Sequence, residues 1–263
     1  MIYSRLRRAA NLALGRSRGR WIMEYPDSVF LVSYPKSGNT WMRFLMANLL
    51  NPDDPTTFAN VDDRFPAIEH VTERELSQAS APGFLKSHEP FDRRYGKVIY
   101  VVRDPRDVAI SYYHYLIKVR RIQEGYDLER FVESFVSGEI DSYGTWYEHV
   151  GSWLGARGSD SNFLCLCYET LLSYPEDCLF EVARLLEVEP CEENVKKAID
   201  LSSAERMREL ENSQGYKPSG RSREDKPFVR AAASGQWKTT LPHASAKLIE
   251  NNWGVLMEKL EYL

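Results

Sequence analysis

Short apolar runs alternate with helix-forming stretches along most of the chain. Four runs rich in Val, Ile, Leu, Phe and Tyr end at polar or proline residues, which is typical of strands buried in a parallel sheet. These predicted strands are 28–34, 83–88, 97–102 and 162–168. The predicted helices are 40–50, 106–117, 127–137, 144–155, 175–186 and 244–260. Two long stretches, 51–82 and 212–236, look irregular, as lids and specificity loops often are.

The alternation of strands with helices predicts one α/β domain. Such a domain has three layers, α/β/α, with a central parallel sheet, and it binds ligands at the carboxyl ends of its strands. We see no linker within residues 26–263, so this range is expected to form a single domain. Residues 1–25 form a separate, basic N-terminal segment.

The charge distribution points to a local anionic ligand rather than to nucleic acid. The 263 residues carry a net charge of -4, whereas general nucleic-acid binders usually have a basic surplus. A basic run at 215–238 stands out on this acidic background. Residues 1–23 hold six arginines and no acid, which fits a surface helix, a transit peptide or an arm that weakly contacts a membrane surface.

Targeting and metal signals are weak throughout the sequence. No apolar stretch approaches the roughly 18 residues that span a bilayer, and no apolar segment follows the basic start as in a secretory signal. The four cysteines form no C-x-x-C pair, which fits a reducing compartment. No cluster of ligands has zinc spacing, so no metal is expected. We therefore expect a cytoplasmic protein.

The turn after the first strand has the features of a phosphate site. Amides at the start of a helix lack intrahelical partners, and the helix dipole adds positive potential there. The turn reads Y-P-K-S-G-N-T-W, and its candidate ligand residues are Lys36, Ser37, Gly38, Asn39, Thr40 and Trp41. A Walker A loop places its lysine after the second glycine, but here Lys36 precedes the only one, which disfavours an ordinary P-loop kinase. The alternative is that this segment is an ordinary strand-to-helix turn that binds no phosphate.

Two further sets of polar residues follow the second and third strands. Arg103 leaves the third strand, and Ser111 lies two helical turns further on, facing back toward it. An arginine fork grips phosphate with two hydrogen bonds. Lys86 and His88 end the second strand, where sites of α/β proteins form. These residues should therefore meet the phosphate turn at one edge of the sheet.

Four segments together resemble the sulfotransferases that use PAPS (3′-phosphoadenosine 5′-phosphosulfate) as donor. Residues 34–41 are similar to the family's 5′-phosphosulfate loop, Y-P-K-S-G-T-T-W, and residues 101–114 to its 3′-phosphate motif. Residues 86–88, K-S-H, resemble its K-T-H, and residues 228–238 resemble F-M-R-K-G-x-x-G-D-W-K. The resemblance implies a P-loop-NTPase-like fold and a sulfotransferase domain over 26–263.

The resemblance also implies roles for individual residues. His88 would be the catalytic base, Lys86 would hold the sulfuryl oxygens, and Lys36 would neutralise the leaving phosphate. Ser111 would bind the 3′-phosphate and hold Lys36 until the acceptor binds. Arg103 and Arg230 would also bind the 3′-phosphate, and the adenine would contact Trp41, Tyr168 and Ser202. The family's Lys-Gly after the arginine is replaced here by Ala231-Ala232, which removes one cationic contact.

We therefore expect an enzyme that transfers a sulfuryl group from PAPS to a hydroxyl or amine of a small acceptor and releases PAP. Two alternatives are a nucleotide kinase or other phosphoryl transferase on a related fold, and a non-catalytic protein that binds PAP. Neither the acceptor nor the oligomeric state can be read from the sequence. The family's C-terminal dimer motif is not evident after Lys238.

Overall fold

A computed structural model describes residues 25–68, 83–189 and 191–263. The strands in these ranges are Tyr25–Ser33 (β1), Phe84–Ser87 (β2), Tyr95–Val102 (β3) and Phe163–Cys167 (β4). The first helices are Asn39–Leu50 (α1), Val61–Arg64 (α2), Pro105–Lys118 (α3), Leu128–Val136 (α4) and Trp146–Arg157 (α5). The remaining helices are Tyr168–Ser173 (α6), Pro175–Leu186 (α7), Glu192–Leu201 (α8), Ala204–Gln214 (α9), Trp237–Thr240 (α10) and His243–Lys259 (α11).

The four described strands form one parallel sheet in the order β2-β1-β3-β4. Phe30 on β1 is level with Leu85 on β2 and with Val98 on β3, and Val98 is level with Phe163 on β4. Because all strands run in one direction, their carboxyl ends lie at the same edge. The loops after the strands therefore meet there.

Helices cover both faces of this sheet. Alternate strand residues contribute to two separate apolar clusters: Phe30 to one and Leu31 to the other. The first cluster includes side chains of α3, α4, α5 and α11, among them Trp153 and Trp253. The second includes side chains of α1, α6, α7 and α8. The predicted α/β fold with three layers around a parallel sheet is confirmed.

All four predicted strands and all six predicted helices are found, with ends that shift by a few residues. The fourth strand was predicted to reach Tyr168, but this residue opens helix α6 instead. Five described helices were not predicted from the sequence: α2 inside 51–82, α6, α8, α9 and α10. Helix α9 buries only Met207, Leu210 and Glu211, and so its apolar stripe is too thin to stand out in the sequence.

The predictions for the N-terminus fall almost entirely outside the described residues. Of the predicted segment 1–25, only Tyr25 is described, at the start of β1. The described residues contain no helix that is both long and apolar enough to cross a membrane.

A buried arginine ties helix α3 to the end of the chain. The Arg106 guanidinium donates to the carboxylates of Asp104 and Glu250 at 2.7 Å each and to the carbonyl oxygen of Tyr262 at 2.6 Å. It also lies over the Trp237 ring, 3.7 Å from the ring centroid. The Arg106 and Asp104 side chains are only 5% and 8% exposed. Their charges are therefore poorly solvated and depend on each other.

We expect Arg106→Met to destabilise the protein by about 3–5 kcal/mol, because it leaves the Asp104 charge buried without its partner. Urea unfolding measures this change. Arg206→Ala is the matched control, since it breaks an exposed pair with Glu209 (side chains 50% and 58% exposed). The control should lose less than about 1 kcal/mol. Equal losses in the two variants would contradict the role of Arg106.

Candidate active site

The loops at the carboxyl edge of the sheet enclose a cavity of ≈ 990 Å³. Most of the residues predicted for the site line this cavity: Lys36, Gly38, Asn39, Thr40, Trp41, Lys86, His88, Arg103, Ser111, Tyr168 and Arg230. The two predicted residues that do not line it are Ser37 and Ser202, both of which are fully buried. One cavity thus brings together residues that are nearly 200 positions apart in the sequence.

The turn between β1 and α1 adopts left-handed backbone at two positions. Lys36 has φ 70° and Gly38 has φ 103°. A Cβ built on Gly38 would lie 2.6 Å from Cδ2 of Tyr168, so only glycine fits between the turn and this ring. The first amide bonded within the helix is that of Met42, which donates to Gly38 at 3.0 Å. The amides of Asn39, Thr40 and Trp41 precede it and can bind an anion.

Two buried hydrogen-bond donors at this turn have no partner among the described residues. They are Oγ of Ser37 and Nε of Arg103. A buried polar group without a partner costs about 1–3 kcal/mol. Donors that are held unpaired beside open helix amides suit an anionic ligand such as a phosphate. The residues present therefore fit the nucleotide phosphates that the sequence predicts.

The Asn39 side chain turns away from the predicted ligand position. Its Nδ2 donates to the carbonyl oxygen of Leu31 at 3.4 Å and to Oγ of Ser33 at 3.3 Å, both on β1. Asn39 was predicted to bind the donor through its polar side chain, as a capping residue would. In this structure the helix cap has no side-chain hydrogen bond, so the main-chain amide is the part of Asn39 that is available for a phosphate.

Arg103 connects the phosphate turn to the C-terminal basic segment. Its guanidinium donates to the carbonyl oxygen of Lys36 at 3.3 Å and to that of Ala233 at 3.0 Å. It also stacks over the Tyr168 ring at 4.3 Å. Asp107, one turn further along α3, lies 3.9 Å from this guanidinium and accepts the amide of Gly235 at 2.6 Å. Arg103 is thus fixed in place with one donor nitrogen still unpaired.

The segment after Phe228 is held by an arginine that the sequence analysis missed. Arg208 on α9 donates to the carbonyl oxygens of Val229, Arg230 and Ala231 at 3.0–3.3 Å. Ala232, where the family pattern has glycine, adopts left-handed backbone with φ 50°. The backbone conformation that the family's glycine would favour is therefore kept, although the side chain is alanine.

The two aromatic residues predicted for the adenine line the cavity and are in contact with each other. The rings of Trp41 and Tyr168 meet edge to face, with centroids 5.6 Å apart. Nε1 of Trp41 donates to the carbonyl oxygen of Ser202 at 3.0 Å. The Ser202 hydroxyl accepts from Asn48 at 3.0 Å and lies away from the cavity. Ser202 was predicted to contact adenine directly, but in this structure it positions Trp41 instead.

Hydrogen bonds fix the tautomer of His88. Its Nδ1 donates to the carbonyl oxygen of Ser33 at 2.8 Å, because a carbonyl can only accept. Nε2 is then the nitrogen that can take up a proton. Burial, followed by the nearby charge of Lys86, lowers the pKa of His88 well below its usual 6.5. His149 stabilises the backbone at His88, since its Nε2 donates to the His88 carbonyl oxygen at 3.0 Å.

The amine of Lys36 lies between two aromatic rings. Nζ is 4.1 Å from the centroid of Tyr115 and 4.8 Å from that of Phe228. The resemblance implied that Ser111 holds this lysine, but no hydrogen bond joins Ser111 to Lys36 in the described structure. Burial, followed by the charge of Arg103, lowers the pKa of Lys36 to about 7. The sequence did not predict this contact between Lys36 and the two rings.

The remaining wall of the cavity is aromatic and polar. Tyr112, Tyr115 and Tyr143 line it, and the Tyr143 ring lies 5.8 Å from the His88 ring. The Tyr112 hydroxyl donates to the Asp141 carboxylate, which also accepts the Tyr143 amide at 2.7 Å. This wall adjoins His88. In the described ranges no group of three or more His, Cys, Asp or Glu could hold a metal ion.

The chain matches the sulfotransferase domain over residues 26–261. It therefore belongs to the sulfotransferase family, and its predicted class, a sulfotransferase enzyme, is confirmed. A 3-beta-hydroxysteroid sulfotransferase of Cavia porcellus is 30% identical over 88% of this chain and 83% of its own length. Sulfotransferase 1E1 of Rattus norvegicus is 28% identical over 87% of this chain and 82% of its own length.

Solved structures of the same fold include proteins bound to PAP. Retinol dehydratase in complex with androsterone and PAP superposes with a TM-score of 0.76, at 20% identity, over 96% of this chain and 84% of its own. A mouse sulfotransferase complexed with PAP gives a TM-score of 0.71 at 21% identity, over 89% of this chain and 85% of its own. At these identities the likeness establishes the fold, which is the predicted P-loop-NTPase-like one.

We expect Gly38→Ala to destabilise the protein by more than about 1 kcal/mol and to weaken PAP binding, because the new methyl group meets the Tyr168 ring in left-handed backbone. Urea unfolding and calorimetry measure the two effects. Gly155→Ala is the control, since a Cβ there meets nothing within 4 Å and the residue lies inside α5. The control should gain up to about 1 kcal/mol. Equal stability of Gly38→Ala and the control would contradict the close approach between Gly38 and the Tyr168 ring.

Proposed function

We propose that this sulfotransferase moves a sulfuryl group from PAPS to the hydroxyl or amine of a small acceptor, with the residue roles given below. The observation that supports the proposal most strongly is the convergence of Lys36, Lys86, Arg103 and Arg230 on one cavity with the open amides of α1. PAPS carries phosphate at two positions, and two groups of cations face the cavity. PAPS supplies the activated S–O bond that is broken.

The phosphate turn would hold the 5′-phosphate. The amides of Asn39 and Thr40 and the Lys36 amine would stabilise the charge that grows on the bridging oxygen as its bond to sulfur breaks. Arg103 and Arg230 would hold the 3′-phosphate, with Ser111 beside them. Trp41 and Tyr168 would contact the adenine.

His88 would act as the base on the acceptor side. Its Nε2 carries a lone pair because Nδ1 donates to Ser33, so it can take the acceptor proton as the new O–S or N–S bond forms. Lys86 would stabilise the three equatorial sulfuryl oxygens. A ring nitrogen that stays neutral near pH 7 is ready to accept a proton in each cycle, which agrees with the lowered pKa of His88.

The acceptor is proposed to be a small molecule. The wall formed by Tyr112, Tyr115 and Tyr143 suits a flat or partly apolar compound. Named relatives act on hydroxysteroids, and one solved neighbour holds androsterone, which supports a hydroxylated acceptor of this size. A cytoplasmic location remains part of this proposal.

Calorimetric titration of PAP into wild type, Lys36→Ala and Arg103→Ala tests the donor site. We expect micromolar binding to wild type and a loss of at least tenfold in each variant, because a hydrogen bond to a charged group contributes about 1.5–3 kcal/mol. Arg221→Ala is the control, since Arg221 is an exposed cation in the same basic segment. The control should bind PAP like wild type.

Turnover of PAPS with a panel of phenols, alcohols and amines then separates the alternatives. Wild type should sulfate at least one acceptor, and His88→Ala should lose this activity while it still binds PAP. Binding of ATP-Mg²⁺ in place of PAP would favour a phosphoryl transferase. PAP binding with no sulfated product from any acceptor would favour a non-catalytic PAP-binding protein.

A further inference from the structure

The contact of Lys36 with two rings comes from two separate parts of the fold. Tyr115 lies in the last turns of helix α3, and Phe228 lies in the segment between α9 and α10. Their ring centroids are 4.1 and 4.8 Å from Nζ of Lys36. Rings at these distances shield the amine from water, which favours its uncharged form. We call Tyr115 and Phe228 the aromatic clamp.

The Phe228 side of the aromatic clamp is anchored by buried charges. Glu211 accepts the amides of Phe228 and Val229, the latter at 2.8 Å. Lys118 pairs with Glu211 at 3.3 Å and donates to the carbonyl oxygen of Lys226 at 2.6 Å. The Phe228 ring also meets the Tyr216 ring at 5.2 Å. The position of Phe228 is therefore set by the core of the protein.

The surroundings of the Lys36 amine are strongly cationic. Charged and titratable groups face this amine from five parts of the fold. They are Lys86 and His88 at the end of β2, Arg103 at the end of β3, Tyr115 and Lys118 on α3, Glu211 on α9, and Arg230 in the C-terminal segment. Glu211 is paired with Lys118, so cations dominate. Burial, then Arg103, Lys86, Arg230 and Lys118, lower the pKa of the Lys36 amine to about 7. The lowered pKa increases the fraction of uncharged amine near neutral pH.

We propose that Tyr115 and Phe228 are positioning residues that hold the side-chain amine of Lys36 away from the open helix amides of the phosphate turn before the donor arrives. Donor binding then moves this amine out from between the two rings, with uptake of one proton from solvent. This inference rests on the proposed function, since it needs PAPS or PAP as the ligand. The amine gains a proton to become an ammonium ion, and no other bond changes. The phosphates supply the negative charge that favours this ammonium.

Proton uptake can be counted by titrating PAP in buffers of different ionisation enthalpy. At pH 8 the phosphates are already dianionic, because their second pKa is about 6, and His88 is already neutral. The Lys36 amine is then largely uncharged before binding, because pH 8 lies above its lowered pKa. Proton uptake should therefore be clear at pH 8 and smaller at pH 6. Lys36→Arg, which stays charged, should take up almost none at either pH.

Substitutions that remove the aromatic rings test the aromatic clamp. Tyr115→Leu and Phe228→Leu open the Lys36 amine to water, so the pKa should return toward 10.5 and uptake at pH 8 should fall to half of the wild-type number or less. Tyr115→Phe keeps the ring and is the matched control, with wild-type uptake expected. A residue with only a structural role would change stability and affinity but not the number of protons.

The outcomes separate this inference from the proposed function. If PAP fails to bind wild type, the proposed function fails. If PAP binds wild type without proton uptake at pH 8, or if Lys36→Arg takes up as many protons as wild type, this inference is overturned and the function stands. If both leucine variants keep the wild-type proton number, the aromatic clamp is overturned. If one leucine variant does not fold, the other tests the aromatic clamp, and the wild-type and Lys36→Arg titrations test proton uptake in either case.

Discussion

Repulsion among cations in one poorly solvated cavity is the constraint on which this structure depends. Lys36, Lys86, Arg103 and Arg230 face the same space, and burial together with their mutual repulsion lowers the pKa of Lys36 and of Arg230. Such an arrangement opposes folding unless the rest of the protein offsets it. An anionic ligand with phosphate at two positions would remove the repulsion, which explains why a fold would keep these charges together.

Two acidic side chains beside the cavity, Asp107 and Glu211, stabilise the surrounding loops. Asp107 accepts the amides of Gly235 and Trp237, and Glu211 accepts those of Phe228 and Val229. Each carboxylate thereby satisfies two amides of an irregular segment and lies near one cation, Arg103 or Lys118. These two acids therefore offset only part of the positive charge around the cavity.

Much of this arrangement could be predicted from the sequence, because it depends on local pattern. The apolar runs determine the strands, a parallel sheet brings its carboxyl ends to one edge, and Lys36, His88 and Arg103 each follow a strand end. Helices α8 and α9 were missed because their apolar stripes are thin. Side-chain direction was also beyond prediction: Asn39 turns toward Ser33, and the Ser202 hydroxyl turns toward Asn48. These directions depend on contacts between distant residues, which motif spacing does not contain.

The most direct test of the central claim compares PAP with 5′-AMP, which lacks the 3′-phosphate, in one calorimetric series. Wild type should bind PAP at least about tenfold more tightly, because the 3′-phosphate pairs with Arg103 and its neighbours. Arg103→Met should lose most of this preference, whereas Arg221→Met, at an exposed position, should keep it. Equal affinity of wild type for the two nucleotides would contradict the claim that the clustered cations exist to bind a second phosphate, as would an undiminished preference in Arg103→Met.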